Sequence, residues 1–511
     1  MAEVVTTSPM AVPLPVRRWH ADSLIKAFFG SNALIAIVVL ALITIFLFRE
    51  GFGFFGKNLA NIRLYRRAGL EYVDILRDSA NSHAALSRSL NDIRKRAAAT
   101  ESADTLSRFD EFSTAFSDSA ENLNGLVSDA GDKAVALRDA LALLIGDVDH
   151  SGENSEQGAA TPPIDEAGTI AALRANTATF ATTAAALDST IRDLLKTAPS
   201  FQDAITKRAF EYWTKKVDGY LASLPATTKK LQAWNPERPV PAYRAVTSFL
   251  FGRDWITASF WQDWYGIIPL FVGSFLVSIV ALAIAVPFGV ASAIYVSEVA
   301  QPAEKRFIKP YVEFIAAIPS VVLGFFGIAV VGQTIRHVSQ SSFFHWVSFF
   351  PISERLNIFT AGSLLALMAV STIFTLAEDA LRNVPRGFVE ASYALGANRL
   401  QTVGRVIVPA SLSGIVSAIL LGFGRVIGET MVVLLCAGNR IAIPDFTQGL
   451  GAFFQPVHTM TGIIAQEMGE VVRGSIHYRA LFMVGLALFA ITLATNYAAQ
   501  KLVARYRMSI G

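Results

Sequence analysis

Two charged side chains stand inside a long apolar stretch of this 511-residue chain. Arg425 and Glu429 interrupt residues 406–438, which otherwise carry no charge. A charge at membrane depth is costly, so such residues usually face the interior of a helical assembly and serve a function. Their spacing of four predicts one helix face, and a guanidinium holds an oxyanion through paired hydrogen bonds. We expect them either to line an anion pathway or to form a structural ion pair.

Membrane-spanning helices must position these residues. The chain is 52% hydrophobic and only 17% charged, a balance typical of membrane proteins. A span needs about 20 apolar residues. Six stretches qualify: Ala27–Phe48, Gly266–Ser297, Phe314–Ile335, Ile358–Ala377, Val406–Gly438 and Ala480–Gln500. We therefore predict an all-α polytopic membrane protein with six transmembrane helices.

Basic residues lie unevenly on the two sides of these spans. Thirteen flank the spans on the side of the two termini, and five lie in the short loops opposite. Cytoplasmic loops carry the excess of Lys and Arg, so residues 1–26 and the carboxyl terminus are expected in the cytoplasm. The first span, residues 27–48, is expected to stay as an anchor, because no signal-peptidase-like site follows it.

Residues 49–250, between the first two spans, have a different character. Apolar residues recur at spacings of three, four and seven in four runs, which begin at Leu86, Phe109, Ile170 and Ile205. Such spacing is typical of amphipathic helices. We predict an inserted extracytoplasmic helical bundle of four antiparallel helices, interrupted by a loop at 146–168.

That loop contains a partial calcium-binding pattern. Asp147, Asp149 and Ser151 precede Gly152, but the twelfth position is Gly158, where a calcium loop needs a bidentate glutamate. We expect an ordinary acidic turn and no metal site.

The longest motif lies between the fourth and fifth spans. Residues 390–396 read E-A-S-Y-A-L-G, and residues 406–409 read V-I-V-P. Ala391 and Ser392 are small enough for close helix approach, Gly396 permits a sharp turn between two short helices, and Glu390 would accept hydrogen bonds at a helix start. The pattern is similar to the EAA loop of ABC importer permeases, with MetI-like folds. In that family this segment, within a cytoplasmic loop at 378–409, is the coupling helix that docks on a separate ATPase.

The chain carries no catalytic signature of its own. It contains no G-x-x-x-x-G-K-[ST], H-E-x-x-H or G-x-S-x-G pattern, so it lacks the loop that cradles ATP phosphates. We expect a transport subunit rather than an enzyme, without a cofactor, whose ATP is bound by a partner. No basic stripe interleaved with aromatic residues predicts nucleic acid binding.

Residues 245–505 resemble more closely one branch of these permeases, the PstC family of phosphate importers. The resemblance rests on Y-G-I-I-P-L at 265–270, I-P-S-V-V at 318–322, E-D-A-L-R at 378–382 and G-R-V-I-G-E-T-M at 424–431. It implies a permease domain at 265–505 in the bacterial inner membrane. It also implies four kinds of partner: a PstA-like permease, a PstB-like ATPase dimer, a PstS-like extracytoplasmic phosphate-binding protein and membrane lipid. Arg425, Glu429 and Thr430 would then line the path for inorganic phosphate, with Glu429 holding Arg425 or accepting from a P–OH group.

Helix-breaking and small residues predict a gate or a packing site. Pro287 and Pro319 break the helical hydrogen-bond ladder near membrane depth, which is tolerated only inside a protein or along a cavity. Ser320 follows Pro319, and Gly324 and Gly327 permit close helix packing.

Two other functions fit parts of the sequence. A permease for sulfate, molybdate or phosphonate would use the same guanidinium chemistry. A membrane sensor would use the bundle between the first two spans, although a sensor needs a signalling module where this chain continues with four more spans.

Overall fold

The computed structural model describes residues 19–98, 101–145, 165–257, 259–341, 343, 350–352 and 354–506. Six continuous helical stretches, two of which join a pair of α-helices through a π-helical turn, are long and apolar enough to cross a membrane, which confirms the predicted number of spans. The pattern at Asp147–Gly152 lies outside the described residues.

The first span is the start of a much longer helix. α1 runs over Trp19–Arg67, 49 residues, well beyond the predicted end at Phe48. Residues 49–67 remain amphipathic and bury Phe54 and Leu64, so nothing ends the helix until Gly69. Gly69 has φ +81°, the left-handed conformation with which many helices terminate.

Five helices, not four, follow in the described part of the insert. They are α2 (Leu70–Ala97), α3 (Ala103–Asp118), α4 (Glu121–Ile145), α5 (Glu166–Lys196) and α6 (Ala204–Ala233). The predicted second helix is divided into α3 and α4 at Ser119 and Ala120, and the Ser119 hydroxyl donates to the Phe116 carbonyl at 2.7 Å. One core joins all five helices with Leu64 and Tyr65 of α1.

A short hairpin connects this bundle to the second span. α7 (Tyr243–Leu250) leads to β1 (Trp255–Ile256) and β2 (Trp264–Tyr265), which pair antiparallel. Gly252 and Gly266 touch backbone to backbone, since a Cβ on Gly266 would lie 2.3 Å from the Gly252 carbonyl carbon. The chain therefore enters the second span from a tightly closed turn.

The hairpin loop is inserted into the bundle through Trp261. Its indole Nε1 donates to Asp74 Oδ1 at 2.8 Å, and the Arg77 guanidinium lies 3.6 Å from its ring centre. A Cβ on Gly131 would lie 3.1 Å from the ring, so α4 approaches it closely. The buried Arg138 donates to the Trp261 carbonyl, which fixes the loop at its backbone as well.

The remaining helices form the membrane domain. They are α8 (Ile268–Ile294), α9 (Pro302–Ala317), α10 (Ser320–Phe326), α11 (Gly332–Ser339), α12 (Ile358–Arg382), α13 (Arg386–Ala394), α14 (Arg399–Thr402), α15 (Val408–Ile427), α16 (Met431–Cys436), α17 (Met460–Glu467) and α18 (Ile476–Tyr506). α12 lies at the centre, where Ile373 fills niches at Gly289 of α8 and Gly422 of α15, 3.0 and 2.7 Å from the Cβ positions of those glycines.

Two predicted spans have different ends in the structure. The third runs over Ser320–Ser339 rather than Phe314–Ile335, because Ile318 is extended before Pro319, as residues preceding proline prefer. The fifth runs over Arg399–Ile427 rather than Val406–Gly438, because the helix is capped at Gly428.

Candidate anion pathway and coupling loop

Arg425 reaches from one central helix to another at about half the depth of the membrane domain. It occupies the last turn of α15, and its Nη1 donates to Thr372 Oγ1 on α12 at 3.1 Å. Thr372 lies roughly 21 Å along the helix from Ile358 and about 15 Å from Arg382 at a 1.5 Å rise per residue. The guanidinium is therefore held near the middle of a spanning helix.

Glu429 does not share a helix face with Arg425, contrary to the prediction from their spacing. α15 ends at Ile427, and Gly428 is its C-cap, so the chain turns before Glu429. Glu429 Oε1 instead accepts from the backbone N–H of Met431 at 3.2 Å, at the start of α16. Its backbone carbonyl accepts from Thr461 Oγ1 at 2.8 Å.

The alternative of a structural ion pair between Arg425 and Glu429 is not seen in the described residues. Among the described residues, no carboxylate forms an ion pair with Arg425, and the side chain is exposed in this single chain. Thr430 is the N-cap residue of α16, and its hydroxyl lies 3.5 Å from the Gly428 carbonyl. Arg425 thus presents an uncompensated charge, while Glu429 and Thr430 shape the break beside it.

A cavity of about 560 Å³ opens one helical turn before Arg425. It lies between α12, α13 and α15 and extends from Leu421 to Phe388 on the coupling loop. Its lining residues include Ser411, Ser413 and Ser417, together with the acidic Asp379. The arrangement places a polar opening between the guanidinium and the predicted cytoplasmic side.

Of the predicted gate residues, Pro319 and Ser320 lie at a break between two helices, whereas Pro287 lies inside a continuous helix. Pro319 separates α9 from α10, and Ser320 is the first residue of α10. Pro287 breaks nothing, since α8 continues through it to Ile294, which corrects the expectation of a helix break there. A proline within a long helix is tolerated when neighbouring helices compensate.

Gly324 and Gly327 are packing positions for the third span. A Cβ on Gly324 would lie 2.5 Å from Leu435 Cδ1, and one on Gly327 would lie 2.2 Å from Leu364 Cδ1. Cys436 Sγ, also close to Gly327, donates to the Gly324 carbonyl at 3.3 Å. α10 therefore rests directly on α16, the short helix that follows the Glu429 break.

The predicted coupling loop is two short helices joined by a glycine turn. α13 is followed by Gly396, with φ +83°, a conformation that costs a residue with a side chain free energy. Ser392 is buried and its hydroxyl lies 2.9 Å from Thr402 Oγ1, which ties the two helices together. Glu390 is exposed in the middle of α13, not at its start, because the helix begins at Arg386.

The outer surface of this loop is apolar. Leu395 is 90% exposed and Leu400 is 71% exposed, and Phe388 and Tyr393 are also exposed. Large exposed apolar side chains gathered on the coupling loop and at the start of the fifth span indicate a surface for another protein. Ala391 is exposed beside them, which leaves room for a close approach.

Two hydroxyl partners of the site could not be identified from the sequence. Thr372 and Thr461 contact Arg425 and Glu429 from other elements. Serine and threonine occur in every span and in the segments between them, so their type alone gives no signal.

Comparison with known proteins places the chain among transport permeases. The pattern of the family described as "Binding-protein-dependent transport system inner membrane component" matches residues 285–508. The Bacillus subtilis protein named "Probable ABC transporter permease protein YqgH" is 33% identical over 228 residues, 45% of this chain and 68% of that protein. The Pasteurella multocida "Phosphate transport system permease protein PstC" is 31% identical over 272 residues, 52% of this chain and 82% of that protein.

A solved structure is also similar in part. A chain of the inward-facing MetNI methionine ABC transporter aligns with 19% identity and a TM-score of 0.34, over 47% of this chain and 94% of that chain. The sequence relatives, the family pattern and the six spans agree with one another. This chain belongs to the family of binding-protein-dependent transport system inner membrane components, the permeases of ABC importers, and PstC phosphate permeases are among its homologues.

Proposed function

We propose that this chain is the permease of an ATP-driven importer of inorganic phosphate. The observation that carries the proposal is Arg425, held by Thr372 at mid-depth with no carboxylate partner in the part of the chain that the structure describes. A guanidinium in that position attracts an oxyanion and binds two of its oxygens at once. Homologues named PstC give the substrate class.

In this proposal Glu429 does not hold Arg425 while the pathway is empty; it has another role. Its carboxylate caps α16 and its carbonyl receives Thr461, so it shapes the break that ends α15. The break leaves Arg425 at the end of a helix, where a guanidinium also benefits from the negative end of the helix dipole. The charge stays available for the transported ion.

The coupling loop supplies the connection to ATP. We infer that the exposed apolar surface around Leu395 docks on a PstB-like ATPase dimer, which binds the ATP that this chain does not. A PstA-like permease would complete the pathway, and a PstS-like protein would deliver phosphate. The bundle would lie on the extracytoplasmic side of the bacterial inner membrane, with both termini in the cytoplasm and lipid around the spans.

Substrate competition tests the proposal. The chain is reconstituted in vesicles with its partner permease, ATPase and binding protein, and uptake of radiolabelled phosphate is measured with and without ATP. We expect ATP-dependent uptake that excess unlabelled phosphate suppresses and that sulfate, molybdate and phosphonate leave unchanged. Uptake of one of those oxyanions in place of phosphate would contradict the substrate while leaving the importer intact.

A further inference from the structure

A single carboxylate lies fully buried on the inner half of α12. Glu378 is 0% exposed, and its two oxygens face cations from two directions. Lys309 Nζ on α9 lies 2.8 Å from Oε2, and Arg382 Nε, one turn further along α12, lies 3.2 Å from Oε1. A buried carboxylate persists only when it is paired, so at least one of these cations must stay with it.

The two cations differ in how firmly they belong to the site. Arg382 is on the same helix as Glu378, one turn away, so its backbone stays within reach of the carboxylate when α9 moves. Lys309 belongs to α9, and its hydrogen bond to Glu378 is the polar side-chain link between these helices in the described chain. Oε1 accepts no hydrogen bond in this arrangement, although Arg382 Nε lies 3.2 Å from it. Arg382 therefore contributes positive charge to the site but no hydrogen bond.

α9 is held less tightly than its neighbours. No residue of α9 is buried, and Ile308 and Val312 are only partly buried against the inner core. α12, in contrast, is fixed between glycine niches on α8 and α15. Lys305 and Glu304 of α9 bind the preceding turn at the Ser297 carbonyl and the Tyr295 hydroxyl. Lys309 supplies the polar attachment of α9 to α12.

This attachment lies between the two moving parts of the proposed transporter. α12 leads through Asn383 and Pro385 into the coupling helix α13. α9 leads through the Pro319 break into the third span, which rests on α16 beside Glu429. The Lys309–Glu378 pair thus connects the ATPase-docking loop with the helices around Arg425.

We propose that Lys309 is a positioning residue for transport, a releasable latch that holds α9 on Glu378 and couples movement of α13 to the third span. When the latch opens, Arg382 keeps the carboxylate neutralised, so opening leaves no unpaired buried charge. Closing returns α9, and with it the third span, to the arrangement seen here. This inference rests on the proposed import function and adds the residue that transmits the movement.

The coupling ratio tests the latch. Phosphate uptake and ATP hydrolysis are measured together in vesicles that hold the complete importer, for the wild-type chain and for Lys309→Met. We expect Lys309→Met to assemble and hydrolyse ATP while phosphate moved per ATP falls about fivefold or more, the lower end of ordinary energetic coupling between sites. Arg306→Met is the matched control, because Arg306 is an exposed cation on the same helix, and it should keep the wild-type ratio.

A double variant separates loss of the Lys309–Glu378 contact from damage to the fold by an unpaired buried charge. Lys309→Met with Glu378→Gln leaves no buried charge to pair, so it should show the same loss of coupling ratio as Lys309→Met alone. An unchanged ratio in Lys309→Met would overturn the proposal. So would uptake and hydrolysis that fall by one common factor, since that result marks lost assembly and no coupling role.

A distance measurement tests the latch without any substrate. Spin labels are placed at Phe307→Cys on α9 and Asn383→Cys beside α12, both exposed, while the native Cys436 is fully buried. We expect two distances whose proportions change with ATP, and only the longer one in Lys309→Met. A single distance that ATP and Lys309→Met both leave unchanged would overturn the latch, whereas absent phosphate uptake with normal distance changes would overturn only the substrate.

Discussion

At the scale of single residues, Arg425 is the group that chemistry singles out. Its partner in the structure is the hydroxyl of Thr372, which orients the guanidinium without neutralising it. A carboxylate partner would have lowered the local positive potential that an anion requires.

Replacing this charge should remove transport. Arg425→Gln is expected to lower phosphate uptake about tenfold or more, because hydrogen bonds to a charged group are worth roughly 1.5–3 kcal/mol. Thr372→Val, which keeps the charge and loses its support, should have a smaller effect. Uptake per assembled complex is the measurement, with Arg473→Gln as control, and normal uptake by a well-expressed Arg425→Gln protein would contradict the pathway role.

His83 makes the stability of the bundle depend on pH. The ring is 2% exposed, its Nε2 donates to the Phe116 carbonyl at 2.9 Å, and it stacks on the Phe116 ring. Burial lowers the pKa of His83 below its ordinary value of 6.5. Just below pH 6.5, His83 therefore binds a proton in the unfolded chain but not in the folded one. The contribution of His83 to the stability of the bundle is full above pH 6.5 and declines as the pH falls toward the pKa of the folded state.

Hydrogen exchange of the intact protein measures this dependence. After correction for intrinsic rates, amides of α2 and α3 should lose protection between pH 7.5 and 5.5, by at most about 1.4 kcal/mol per pH unit. His83→Phe should remove that part of the pH dependence. An identical pH profile in His83→Phe would show that another group is responsible.

At the scale of elements, the coupling loop depends on one backbone conformation. Gly396 has φ +83°, and nothing lies within 4 Å of where its Cβ would be, so only backbone strain opposes a side chain there. Gly396→Ala should cost the loop about 1–2 kcal/mol and weaken retention of the ATPase. Gly387→Ala is the matched control, since Gly387 is also uncrowded and has no positive φ. Equal retention of ATPase by both variants in detergent would contradict the role of the turn.

The elements also show what the sequence could and could not predict. The six spans follow from apolar length alone, and the glycine turn at Gly396 follows from its motif. The prediction that Arg425 and Glu429 share a helix face was wrong, because α15 ends at Gly428 between them. Spacing assumes a continuous helix, and a single glycine C-cap removes that assumption.

Side-chain partners that are distant in the sequence could not be predicted either. Thr372 contacts Arg425 across 53 positions of sequence, and Lys309 contacts Glu378 across 69. Periodicity reports which face of a helix is apolar but not which helix covers it. The division of one predicted helix into α3 and α4 at Ser119 and Ala120 is likewise a feature that an apolar pattern does not reveal.

At the scale of the whole molecule, the bundle and the membrane domain are joined by the Trp261 loop. Trp261 fills a site made by Asp74, Arg77 and Gly131, and the same loop continues through β2 into α8. The bundle is therefore attached to the second span by packed side chains rather than by a flexible linker.

Removing this side chain should loosen the attachment. Trp261→Ala is expected to cost about 3–5 kcal/mol, the range for deleting a buried large aromatic residue, although partial exposure places it toward the lower end. Thermal unfolding of the bundle and protease sensitivity near residues 257–263 are the measurements. Phe260→Ala, at a side chain 73% exposed in the same loop, should change neither, and equal effects of the two variants would contradict the anchoring role.

The central claim is that this chain moves phosphate when a separate ATPase acts on its coupling loop. The most direct measurement is ATP-dependent phosphate uptake by the reconstituted importer, compared between the wild type and a Glu390→Gln/Gly396→Ala double variant of equal abundance. We predict uptake by the wild type that the double variant abolishes. The ATPase subunits used in the two preparations should hydrolyse ATP equally well when they are measured alone. Uptake that the double variant retains, or a fully assembled wild-type importer that moves no phosphate, would contradict the claim.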